Sequence, residues 1–125
     1  MPETSAKSEL KIGLVGPCAA GKTTLARRLG DLGYQVRIIA QEHSYVPDMW
    51  QRLTNPDILI YLSVSYQNTK IRRNMSWTEA EYQEQLFRLR HAIDHADLRI
   101  ETDQFTAEQV LEQVLTFLSL IPGKP

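Results

Sequence analysis

Leu10-Lys11-Ile12-Gly13-Leu14-Val15-Gly16-Pro17-Cys18-Ala19-Ala20-Gly21-Lys22-Thr23-Thr24 begins as an apolar run and turns at a glycine-rich segment that closes on a lysine and two threonines. A short apolar run bounded by glycine reads as a buried strand, Leu10 to Val15. Leu25, Leu29 and Leu32 then recur at helical spacing and Gly33 supplies a stop, so Lys22 to Leu32 reads as a helix. Between them, Gly16 to Thr23 fits Gly-x-x-x-x-Gly-Lys-[Ser/Thr] at every fixed position. Glycines let the backbone curl until several N–H groups face one point, and the helix start adds its unpaired N–H groups and positive dipole end. Lysine contributes a point charge for β- and γ-phosphates, and the threonine hydroxyl a ligand for Mg²⁺. The segment therefore predicts binding of a nucleoside triphosphate, ATP with Mg²⁺, by Gly16, Pro17, Cys18, Ala19, Ala20, Gly21, Lys22, Thr23 and Thr24, with Thr23 on the metal. Lys22 is expected outside the core, and Cys18 reads as a small residue at a variable loop position.

Working outward, Gln35 to Ala40 is rich in β-branched residues and reads as a second strand. Gln41 to Pro56 is polar and broken by two prolines, with a helical turn near Asp48 to Leu53. Asp57 to Val64 is the most apolar strand, followed by a short helix from Tyr66 to Asn74. Ser76-Trp77-Thr78-Glu79 has the form of a capping box opening a helix to about Ala96, with Tyr82, Leu86, Leu89 and Ile93 as its apolar stripe. Leu98 to Thr102 reads as a fourth strand. Thr106 to Gln109 repeats the capping signature before a last helix bearing Val110, Val114, Phe117 and Leu118. Strands alternating with helices predict an α/β fold in three layers, α/β/α, around a short parallel sheet of about four strands.

Size and charge narrow the function classes. A chain of 125 residues supports one modest core, and no composition shift marks a boundary, so 10–121 reads as one domain behind a flexible lead, 1–9. A net charge of -1 argues against a broad basic field for nucleic acid. No apolar run approaches the roughly 20 residues of a membrane span, and Met1 to Glu9 lacks the apolar centre of a secretory signal. With a single cysteine, these features point to the cytoplasm.

On these motifs the chain resembles the P-loop nucleoside triphosphate hydrolase superfamily, and within it the nucleotide and small-metabolite kinases, over nearly its whole length. Pro56-Asp57-Ile58-Leu59-Ile60-Tyr61-Leu62-Ser63-Val64-Ser65 looks like their fourth strand, often followed by a helix carrying arginines. His95-Ala96-Asp97-Leu98-Arg99-Ile100-Glu101-Thr102-Asp103 is similar to their last strand and the loop after it. The resemblance implies that Arg72 and Arg73 stand at a shortened lid, against γ-phosphate or adenine, and that Thr102 to Phe105 contacts the base. Between strand two and the third strand of this chain, where those kinases carry a substrate-binding insertion and a further strand, there is only Gln41 to Pro56. Ala19 stands where the nucleotide kinases commonly have glycine.

A sheet order of 2-1-3-4 would put the end of strand two, Ile38-Ile39-Ala40-Gln41-Glu42, beside the phosphate loop. Gln41 then occupies the place of the usual magnesium-supporting aspartate, and Glu42 is left to hold a magnesium water or orient a nucleophile. The catalytic candidates are Lys22, Glu42, Arg72 and Arg73. Thr69-Lys70-Ile71-Arg72 is the nearest approach to a guanine-reading Asn/Thr-Lys-x-Asp pattern, and its last residue is basic, which favours ATP over GTP. His91 and His95, four apart near a helix end, are read as answering the helix dipole in preference to a metal. His43 and Ser44 have no aspartate partner for a triad. Trp50 and Trp77 are assigned either to a pocket lining or to burial under the short loops. The expected function is a kinase-like phosphotransferase or ATPase with an unidentified small-molecule acceptor or protein partner. The alternative is a non-catalytic nucleotide-dependent switch.

Overall fold

In the computed structural model, residues 10–73 and 76–121 are described; residues 1–9, 122–125, Asn74 and Met75, where the resemblance places a shortened lid, and the Arg73 side chain lie outside the description. Four strands form one sheet, β1 (Lys11–Val15), β2 (Gln35–Ile38), β3 (Ile58–Ser63) and β4 (Leu98–Glu101), in the order β2-β1-β3-β4. All three pairings are parallel, with Leu14 opposite Ile38 and Ile60, and Leu62 opposite Ile100. The fold class is thus α/β with an all-parallel sheet, in the strand order the sequence suggested.

Parallel strands need crossovers, and these carry the helices α1 (Lys22–Asp31), α2 (Met49–Leu53), α3 (Tyr66–Arg73) and α4 (Glu79–His95), while α5 (Ala107–Ser119) follows the last strand. Alternation along the strands builds two cores. Ile12, Leu14, Ile60 and Leu62 pack with Leu25 and Leu29 of α1 and with Val110 and Val114 of α5. Val15, Leu59 and Tyr61 pack with Trp50, Leu89 and Ala92 on the other side. Apolar burial on both sides explains why β3 reads as an unbroken apolar run, five of its six residues being buried. Helices covering both faces are compatible with three layers.

Two elements have bounds other than those expected. The cap of α4 is Thr78, not Ser76: Thr78 Oγ1 accepts the Glu81 amide at 3.2 Å, and Glu81 Oε1 accepts the Thr78 amide at 2.8 Å. The sequence holds two overlapping capping patterns, and tertiary contacts select the second. Trp77 Nε1 donates to Thr69 Oγ1 and the Trp77 carbonyl accepts Tyr66 Oη, which fixes that segment outside the helix. The buried row of α4 is Gln85, Leu89 and Ala92, whereas Tyr82, Leu86 and Ile93 are only half-buried. A glutamine at the centre of a packed face has a use, which the site supplies. β2 also ends early. Ile39 N still bonds Leu14 O, but Gln41–His43 then forms a tight 3₁₀ turn.

Among the described residues, no helix is long and apolar enough to cross a membrane.

Candidate functional site

β1 ends at Val15, and Gly16 follows in close approach to the β3 backbone. A Cβ on Gly16 would run into the Leu62 carbonyl oxygen, so glycine alone fits there. The chain then turns through two left-handed residues, Ala19 with φ 69° and Gly21 with φ 96°. Gly21 caps α1 with no side-chain hydrogen bond, which leaves the first-turn N–H groups without that partner. Ala19 accepts a conformation that costs an L-residue about 1–2 kcal/mol. Ala19→Gly relieves that strain but frees the unfolded chain by about 0.4–1 kcal/mol. The expected net is a gain of up to about 1 kcal/mol, read by urea unfolding; a loss of stability would show that Ala19 carries no strain.

The loop lines a cavity of ≈ 400 Å³ together with Glu42, His43 and Arg72. Cys18 through Thr24 all contribute to its wall, while Gly16 and Pro17 are buried. The strand order puts the 3₁₀ turn after β2 beside the loop. Lys22, expected outside the core, is instead only 9% exposed, and its Nζ lies 2.7 Å from Glu42 Oε2. Nζ also donates to the Gly16 carbonyl. Burial of the ammonium is tolerated because a carboxylate and a carbonyl replace its water. Glu42 is 5% exposed, and its Oε1 has no hydrogen-bond partner among the described residues. A buried carboxylate oxygen without a donor costs about 1–3 kcal/mol or more.

Gln41 does not face this cavity. Its Oε1 accepts the Trp50 amide at 2.8 Å, and its Nε2 donates to the Val46 and Arg88 carbonyls at 2.9 and 3.2 Å. Fully buried and fully bonded, it ties the 41–50 segment to α4. Gln41, expected in the place of a magnesium-supporting aspartate, instead pins the loop, and Glu42 is the residue presented to the cavity.

Arg72 bridges two parts of the site. Nη1 donates to the Ala19 carbonyl and to Thr102 Oγ1, and Nη2 to the Thr102 carbonyl, each at 3.0 Å. It borders both the first cavity and a second of ≈ 300 Å³ lined by Thr24, Leu25, Leu62, Thr102, Phe105 and Val110. The two cavities also share Ala20, Gly21 and Thr24. Asp103 follows directly, accepting the Ser65 amide at the start of α3. Burial alone would raise its pKa, but hydrogen bonds from Asn68 and Ser65 and the nearby Arg72 guanidinium hold it below the usual carboxylate value.

No protein-family model and no curated protein matches the chain.

Gln85 is the site residue that sequence reasoning missed. Its Oε1 accepts the Cys18 amide at 3.0 Å and its Nε2 approaches Cys18 Sγ at 3.2 Å, so α4 holds the loop from the side. The available signal was a polar residue three after Tyr82 and four before Leu89, inside an otherwise apolar stripe.

His91, His95, Trp50 and Trp77 stand apart from both cavities. His91 Nδ1 accepts Trp50 Nε1 at 3.0 Å, and the His91 and His95 rings stack with centroids 4.2 Å apart. Trp50 is buried in the second core, and Trp77 is bonded to Thr69. Neither tryptophan lines a cavity described above. Arg73 closes α3, and its side chain lies outside the described residues.

Proposed function

We propose that this chain is a compact P-loop protein of the kinase-like kind, binding ATP with Mg²⁺ and using it for phosphoryl transfer or hydrolysis. The observation that carries the reading is the convergence of Lys22, Thr23, Glu42 and Arg72 on one cavity lined by the glycine-rich loop. A lysine, a hydroxyl, an acid and a guanidinium around uncapped helix N–H groups form a donor set suited to a polyphosphate and its metal. Thr23 is exposed in that cavity and Glu42 Oε1 lacks a partner, so the residues present fit Mg²⁺. Thr23 would ligate the ion directly and Glu42 through water. When bound, the ion supplies charge neutralisation between phosphates.

The chain's own residues then divide the work. Lys22 exchanges Glu42 for a phosphate oxygen, which releases the carboxylate to orient a water or an acceptor hydroxyl. Arg72, tied to the Ala19 carbonyl, sets a positive charge beside the loop where γ-phosphate charge develops. The second cavity, with Leu25, Leu62 and Val110 on its walls and Thr102 and Phe105 at its side, suits a purine base. The described residues there include no acidic side chain to accept from a guanine amine. ATP is therefore expected to bind more tightly than GTP, and EDTA to weaken both. Paired titrations check this; equal or tighter GTP binding rejects the base assignment.

The switch reading is favoured by one observation, the Lys22–Glu42 pair. Any phosphate that takes Lys22 must break that buried pair, and Glu42 sits on the 3₁₀ turn whose neighbour Gln41 anchors the 41–50 segment. Nucleotide binding would thus reshape this segment even without turnover.

A further inference from the structure

Cys18, Glu42 and His43 each offer a metal-ligating atom, and these atoms lie within 4.8 Å of one another. A thiol, a carboxylate and an imidazole form a mixed set that suits a borderline-soft divalent ion and that Mg²⁺ does not favour. We propose that these three residues form a Zn²⁺-type site with an open fourth position. The inference stands on these side chains and does not depend on the nucleotide reading.

Three features support it beyond proximity. Glu42 is 5% exposed, and its buried Oε1 has no partner among the described residues, so a cation would satisfy an otherwise orphaned oxygen. Its other oxygen is already fixed by Lys22 at 2.7 Å and lies 3.7 Å from His43 Nε2. A tetrahedral site built on Oε1 needs donors roughly 3.3–3.7 Å apart, so the His43 ring must turn toward that oxygen. The His43 side chain is 59% exposed, which leaves its ring free to adjust toward the sulfur. Finally, Gln85 Nε2 approaches Cys18 Sγ at 3.2 Å, the kind of outer donor that steadies a thiolate ligand. On binding, the ion displaces the thiol proton to solvent, and no oxidation occurs.

Among the described residues, no other group of three or more His, Cys, Asp or Glu side chains converges in this way; His91 and His95 are engaged with Trp50 and each other.

The test uses the whole chain and Co²⁺ as a spectroscopic probe, followed by Zn²⁺ competition. Cys18 is the sole cysteine, so thiolate-to-cobalt charge-transfer absorption reports on this site alone. The expected result is one Co²⁺ per chain with charge-transfer absorption, displaced by Zn²⁺. Cys18→Ser should abolish that absorption. His43→Ala, a change at an exposed position, should weaken Co²⁺ binding roughly 10-fold or more. A His91→Ala/His95→Ala double variant should leave binding unchanged. Absent charge-transfer absorption at saturating Co²⁺, one metal per two chains, or unaltered affinity in His43→Ala would each overturn the site.

Discussion

Glu42→Gln is expected to lower ATP turnover by about 10²–10⁴-fold, the range for removal of a general base, while leaving ATP binding in place. The reasoning starts from the buried pair. Glutamine keeps the shape and still offers an oxygen to Lys22 Nζ, so the loop loses little packing. It removes the negative charge that holds Lys22 at 2.7 Å, so a phosphate meets less competition for the lysine. Affinity should accordingly hold or rise as turnover falls, a split that general damage to the site would not produce. The assay follows ADP release with and without a panel of metabolite acceptors. Wild-type turnover that survives in Glu42→Gln removes the role assigned here to Glu42. A wild type with no turnover on any acceptor, but with intact ATP binding, transfers the account to the nucleotide-dependent switch.

The second large effect belongs to Lys22. A charge-assisted contact to phosphate contributes about 1.5–3 kcal/mol, so its loss should weaken ATP binding roughly 10–150-fold. Lys22→Met alone is a poor instrument, because it strands Glu42 as a buried charge at a cost of about 3–5 kcal/mol. The informative comparison is the double variant Lys22→Met/Glu42→Gln against Glu42→Gln. Thermal unfolding should show the single Lys22 variant strongly destabilised and the double one largely recovered. Calorimetry should show the affinity loss in the double variant all the same. Equal ATP affinity in Glu42→Gln and the double variant would remove Lys22 from the binding site.

Much of this arrangement was legible in the residues, for physical reasons. β1, the loop and α1 are announced by local signals that tertiary context does not override: an apolar run, obligatory glycines, and leucines at helical spacing. The strand order followed from the short interval between β2 and β3, and it correctly brought Glu42 to the loop. What escaped were the features decided by side-chain direction after a strand ends. The tight turn at Gln41–His43 rotates Gln41 into the protein and Glu42 toward the loop, and no periodicity in so short a segment reports that. The burial of Lys22 was missed for a related reason, since only the fold supplies a carboxylate to make it tolerable. Thr78 displaced Ser76 as a cap because Trp77 is held by Thr69, a contact between residues eight apart that a local pattern does not contain. Gln85 acts across 67 positions of sequence, on Cys18, and was hidden in a row otherwise assigned to packing.

We propose that the loop from Gly16 to Thr23 binds a nucleoside triphosphate with magnesium, and isothermal calorimetry of the intact chain with ATP and Mg²⁺ tests this directly, with Glu42→Gln and Lys22→Met/Glu42→Gln titrated alongside. Saturable binding at one site per chain is expected, weakened by EDTA, and weaker in the double variant than in Glu42→Gln. Absence of saturable heat from the folded wild-type chain at millimolar ATP, or identical isotherms for Glu42→Gln and the double variant, would contradict it.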